Sequence, residues 1–284
     1  MEYSNPELPE GINTSKEHPL KEFIILTVGL LGLIFIIISS LIVIVDNFAD
    51  KIPFELESEL PLSSIIKYEN AEPLPPYLDK VTQKVLKSFD LPKEMKVTFH
   101  YVNDDTVNAF ATLGGHIVLF RGLLEKLKYE EELAMVIAHE IAHVKYRHPI
   151  MSASHGIVVG VVLTALSASS GNSIVNDLMG TTGTATLMKF SRDFEYQADK
   201  DAVNSLMKLY GHADGAIGLF KVFKEVNGDK FNIEFLATHP LTENRISQTT
   251  KLANQDISNK TTMIAYPDKF TSWLKEQGKK TKDN

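Results

Sequence analysis

The stretch Glu130–His148, EEELAMVIAHEIAHVKYRH, decides how this chain is read. Acids open it, and Leu133, Val136, Ile137, Ile141 and Val144 recur through it at helical spacing. Lys145, Arg147 and His148 close it, the charge order that suits a helix dipole. Inside lies H-E-x-x-H at His139–His143. Positions four apart on a helix sit about 40° apart around the axis and one turn along it. The two imidazoles therefore point the same way and can hold one metal ion. Glu140 stands beside the first of them, where its carboxylate can serve an attacking water as general base without ligating the metal. Ala138, Ile141 and Ala142 make this face apolar, so histidines left there without a partner would be costly.

A hydrolytic zinc takes three protein ligands and keeps one position open. The chain has no cysteine, which restricts the donors to His, Asp and Glu and leaves no disulfide. His148, followed by Pro149, stands at the wrong spacing for a third histidine ligand. The better candidate is downstream, in FSRDFEYQADKDAV (Phe190–Val203). Glu195 and Asp199 are again four apart on an expected helix. Glu195 is the candidate third ligand, and Asp199 would accept the N–H of a ligand imidazole and fix its tautomer. On spacing alone an exposed acidic helix face, with Asp193 and Asp201, is the better reading.

Outward from the metal motif, KVTFHYV (Lys96–Val102) alternates and is β-rich. NAFATL (Asn108–Leu113) and HIVLF (His116–Phe120) flank Gly114-Gly115, the pattern of a hairpin. Leu78, Val81, Val85, Leu86 and Phe89 give a helix from near Tyr77 that Pro92 ends. A small sheet followed by helices makes an α+β fold.

Ahead of that domain, FIILTVGLLGLIFIIISSLIVIV (Phe23–Val45) carries no charge. As a helix its 23 residues would span about 34 Å, the thickness of a bilayer core, which predicts a transmembrane anchor. Lysines are balanced on its two sides and leave the orientation open. Residues 1–22 read as a flexible tail, residues 46–76 as a Pro-rich acidic spacer adding little to the core, and Gly278–Asn284 as a frayed Lys-rich end. HGIVVGVVLTALSAS (His155–Ser169) reads as a buried or membrane-surface helix covering the active site, with a second transmembrane span as the alternative. A net charge of -7 without a basic stripe argues against a nucleic-acid partner.

HEIAHVKYRH, the E-x-x-x-D of EYQAD, THPLTENRI (Thr238–Ile246) and NAFATLGGHIVLFRGLL (Asn108–Leu124) occur in order over roughly residues 77–250. Together they resemble the HtpX-like and CAAX-prenyl-protease superfamily of gluzincin metallopeptidases, nearest its soluble-domain, periplasmic-chaperone-like branch. Leu113 departs from the proline expected before the glycine pair. The resemblance implies a zincin-like domain over residues 77–255, followed by a C-terminal extension at 256–284. It implies one Zn2+ per chain on His139, His143 and Glu195. His239 and Arg245 would line the active site, stabilising the oxyanion or capping the metal. The strand of His116, Ile117, Val118, Leu119 and Phe120 would be the edge on which an extended substrate pairs. It implies a membrane-held endopeptidase, with its domain outside the cytoplasm at a cell inner membrane, acting on misfolded or membrane-associated proteins. A zinc-binding chaperone or scaffold with little proteolysis is the competing class.

Overall fold

The computed structural model describes residues 18–48, 51–57, 71–167, 190–228, 234–254 and 262–282. Helix α1 (Pro19–Phe48) comes first, so helix already occupies the last residues of the expected tail. Among the described residues it is the helix long and apolar enough to cross a membrane, and its most apolar window is unburied.

The spacer contributes more than the sequence reading allowed. A short helix, α2 (Phe54–Glu57), buries Phe54 in the core and Glu57 beside it. A two-residue strand, β1 (Ala71–Glu72), pairs antiparallel with the sheet. Prolines and acids dominate this segment's composition, and its single buried aromatic does not stand out among them.

Helix α3 (Pro76–Leu86) starts on Pro76, whose fixed φ suits a first helical position, and ends well before Pro92. The sheet follows: β2 (Thr98–Val102), β3 (Ala109–Thr112) and β4 (His116–Phe120), in the order β1-β2-β4-β3. The β3–β4 hairpin closes through Leu113–Gly115 despite the missing proline, because Gly114 and Gly115 both adopt positive φ, 71° and 76°. A Cβ on Gly115 would fall 2.1 Å from the Lys96 carbonyl oxygen and 2.8 Å from the Phe54 ring, so glycine is required there.

One expectation is overturned here. Strand β4 is not an edge: β2 pairs parallel on one side and β3 antiparallel on the other. Strand periodicity says which face is buried but not which strands are neighbours. The sheet's outer edges are those of β1 and β3, and among the described residues no strand pairs with the outer edge of β3.

Helix α4 (Arg121–Lys126) leads into α5 (Glu130–Lys145), the helix of the metal motif, which is buried from Glu130 to Val144. It lies at the centre, packed by α3, the sheet, α7 (Arg192–Tyr210) and α8 (Asp214–Gly228). Its acidic start is satisfied locally: the Glu132 carboxylate accepts from the Lys128 and Tyr129 N–H groups at 2.8 and 3.2 Å. Helix α6 (His148–Ser167) follows after a break at Arg147, whose φ is 61°. Residues 168–169 of the expected apolar helix lie outside the described residues.

After α7 and α8 come α9 (Glu234–Thr238), α10 (Glu243–Ala253) and α11 (Asp268–Lys282). The C-terminal extension is part of the domain rather than an appendage. The Glu130 N–H donates to the Ile264 carbonyl at 2.7 Å, and the Tyr266 N–H to the Lys128 carbonyl at 3.0 Å, capping the start of α5. Phe270 and Leu274 are core residues. The Lys-rich end is helical through Lys282, where fraying was expected; it continues a helix that Phe270 and Leu274 anchor in the core and that packs on α4. Residues 283–284 lie outside the described residues.

Candidate metal centre

Helices α5 and α7 bring the expected ligands together. Ser191 caps α7, its Oγ accepting from the Phe194 N–H at 3.2 Å, and Gly211 ends it with φ 74°. Ala198 and Ala202 are buried on the inner side of α7 and allow close approach to α5. Glu195 and Asp199 lie one turn apart on that same side, both buried.

His139 Nε2 lies 3.0 Å from His143 Nε2. Glu195 Oε2 is 3.5 Å from His139 Nε2, and Glu195 Oε1 is 3.4 Å from His143 Nε2. His239 adds a fourth donor, its Nδ1 2.9 Å from Glu195 Oε1 and 3.3 Å from His139 Nε2. One donor atom from each of the four residues lies within 4.8 Å of the others, and all four are buried. Bond lengths of about 2.0–2.2 Å to a tetrahedral ion put neighbouring ligand atoms about 3.3–3.6 Å apart. The observed spacings overlap that range, so these residues fit a divalent metal.

The groups behind the ligands fix their tautomers. His139 Nδ1 lies 3.0 Å from Asp199 Oδ1, leaving Nε2 as the lone pair that faces the centre. Asp199 also accepts from Thr249 Oγ1 at 3.1 Å and from two donors of Arg245, Nε at 2.6 Å and a terminal nitrogen at 2.9 Å. Burial alone would raise the Asp199 carboxyl, but the Arg245 guanidinium overrides it and holds the group below its ordinary value. Arg245 pairs with Glu195 as well. A further donor reaches the His239 carbonyl at 3.3 Å. A terminal nitrogen of Arg245 also lies 3.4 Å from His139 Nε2, so the guanidinium reaches the donor set itself.

His148, set aside as a ligand, serves behind His143. Its Nδ1 is 2.9 Å from His143 Nδ1, and its Nε2 is 3.1 Å from Gln197 Oε1. Gln197 presents an acceptor, so His148 carries its proton on Nε2 and accepts at Nδ1 from His143. Burial lowers the His148 pKa to about 4, which keeps the ring neutral. Phe190 stacks on His143 and Phe194 on His148, with ring centroids 4.0 and 4.1 Å apart. The Phe235 ring stacks on His239 at 4.5 Å. No sequence signal marked these aromatics beyond their place in helical stretches.

Glu140 has a different environment. It is fully buried, and neither carboxylate oxygen has a hydrogen-bond partner among the described residues. His239 Nε2 lies 3.6 Å from one of its oxygens. A buried carboxylate without donors is costly unless something else occupies its lone pairs.

Two helices crossing to assemble a His-His-Glu donor set, with a free carboxylate beside the first histidine, define a metallopeptidase fold whose third ligand is a glutamate. Residues 74–253 match the model of Peptidase family M48, and the chain belongs to that family. It is 30% identical over 190 residues to the putative beta-barrel assembly-enhancing protease of Vibrio cholerae, covering 63% of this chain and 39% of that protein. It is 32% identical over 171 residues to the beta-barrel assembly-enhancing protease of Yersinia pestis, covering 55% and 34%. It is 27% identical over 173 residues to the mitochondrial metalloendopeptidase OMA1 of Schizosaccharomyces pombe, covering 60% and 50%. The chain spans half or less of the length of these relatives.

Proposed function

We propose that the chain is a membrane-anchored, zinc-dependent endopeptidase, held by α1, that cleaves misfolded or membrane-associated proteins on the outer side of a cell inner membrane. The observation that carries the reading is the buried, unpartnered Glu140 carboxylate beside a convergent donor set. His139, His143 and Glu195 would hold a zinc ion, which would supply Lewis acidity toward the scissile carbonyl and the attacking water. Glu140 takes the water's proton and passes it to the leaving amine. His148 and Asp199 hold the two imidazoles in the tautomer that presents Nε2, and Arg245 holds the two carboxylates. The outer edge of β3 offers backbone groups for an extended substrate, and β3 packs directly on α5.

Cleavage of an unfolded casein-type substrate by the full chain, with and without a chelator, tests the reading. Chelator-sensitive cleavage with one zinc per chain is expected, and Glu195→Gln should lower zinc occupancy. Full occupancy in that variant would point to a different third ligand. One observation favours the competing scaffold reading: His239 fills a fourth donor position, the closed coordination of a structural zinc. Absence of cleavage in both the native chain and His239→Ala, with zinc retained, would establish it.

A further inference from the structure

We propose that α6 enters the lipid bilayer beside α1, so that the metal centre stands at the membrane surface and takes polypeptide where it leaves the bilayer. The proposal rests on the reading of α1 as the membrane anchor. Most of α1 is exposed, but Ile34, Ile38, Leu41, Ile42 and Val45 are half-buried. These positions recur at three- and four-residue spacing and so mark one face. Helix α6 packs against α1. His155 Nε2 meets Asp46 Oδ1 at 2.6 Å, directly after the end of the uncharged run.

From Asp46 back to Ile34 is about 18 Å of helix, and from His155 on to Ser167 is also about 18 Å, at 1.5 Å per residue. The two stretches therefore run antiparallel over the same depth. Whatever lies against residues 34–45 of a spanning helix lies at the same level in the bilayer. The α6 sequence there, GIVVGVVLTALS (Gly156–Ser167), has no charge, and its Gly156-x-x-x-Gly160 spacing suits close approach of two apolar helices.

His148, which touches the ligand His143, precedes His155 by about 10 Å of the same helix. The His148 side chain, its contact to His143 and the His143 ring add up to about 10 Å more, so the centre sits within about 20 Å of the level where α1 leaves the bilayer. Scissile bonds close to a membrane exit fall within its reach, and those far out in solution have no advantage.

The chain has no cysteine, so single-cysteine variants report cleanly. Full-length Val161→Cys, Val162→Cys, Leu163→Cys and Thr164→Cys cover every face of α6. Ile36→Cys, exposed on α1, and Lys93→Cys, exposed on the domain, are the controls. Each would be labelled with a bimane fluorophore and placed in phosphatidylcholine vesicles brominated on the acyl chains, after its metal content is confirmed. Quenching at two or more adjacent-face α6 positions to the extent seen at Ile36→Cys, with none at Lys93→Cys, is expected. Quenching at Ile36→Cys and at none of the four α6 positions would overturn the proposal and leave the anchor intact. No quenching at Ile36→Cys would overturn the anchor reading itself, and the proposal with it.

Discussion

His148 Nδ1 stands 2.9 Å from His143 Nδ1, closing a chain of hydrogen bonds that runs from the metal centre to Gln197. Removing the acceptor while keeping the ring's bulk isolates this contribution. His148→Phe should raise the metal dissociation constant about 10- to 100-fold, the usual effect of losing a partner behind a ligand. His148→Asn, whose amide oxygen can accept, should recover part of it. Competition against a chromogenic chelator measures both.

Glu140→Gln removes the proton acceptor and leaves the donor set untouched. Metal content should stay at the native level while turnover of an unfolded substrate drops about 10²- to 10⁴-fold. Native rates in a variant that retains its metal would dismiss Glu140 as the base.

Glu130 makes stability depend on acid. Burial would raise its carboxyl, but Lys84, Tyr210 and Tyr77, bonded at 2.8, 3.0 and 3.1 Å, outweigh burial and lower it. A lowered folded-state value means the stabilisation is present above the ordinary carboxylate range and disappears as pH falls through the folded value. Glu130→Gln should cost about 2 kcal/mol at neutral pH. The gap between native and variant should close in acid, as read from urea midpoints across the pH range. A gap that stays constant would show that the charge is not what matters.

Phe270 tests whether the C-terminal extension belongs to the domain. It is 4% exposed and stands against Tyr77, with ring centroids 4.8 Å apart. Phe270→Ala should destabilise the fold by about 3 kcal/mol, as truncation of a buried aromatic does. A surface appendage would give a change too small to move a denaturant midpoint.

Local patterns were readable and non-local ones were not. The spacing of His139 with His143, and of Glu195 with Asp199, fixed two helix faces, because four residues make one turn. The glycine pair at 114–115 fixed a hairpin, because only glycine adopts those angles freely. Strand order could not be read, since β2 reaches β4 across an intervening strand in sequence. His148 was opaque for a sharper reason. On an unbroken helix, five residues carry it about 140° around from His143, facing away. The break at Arg147, with its positive φ, turns it back. Phe54 and Phe270 lay in stretches dominated by proline, acid or lysine, where composition masked one buried ring apiece.

Glu57 closes the account of how the domain is mounted. Its carboxylate accepts from Arg147 at the end of α5 and, at 3.1 Å, from the Gly114 N–H at the hairpin turn, while Arg147 also reaches the Ile52 carbonyl at 2.8 Å. The residues just past α1 are therefore bolted to both structural arms of the centre. A ball on a string would tumble freely above a membrane and meet its substrates from any side. With α1 as the proposed anchor, these bonds and the His155–Asp46 pair tie the bearing of the cleft relative to the bilayer to the fold.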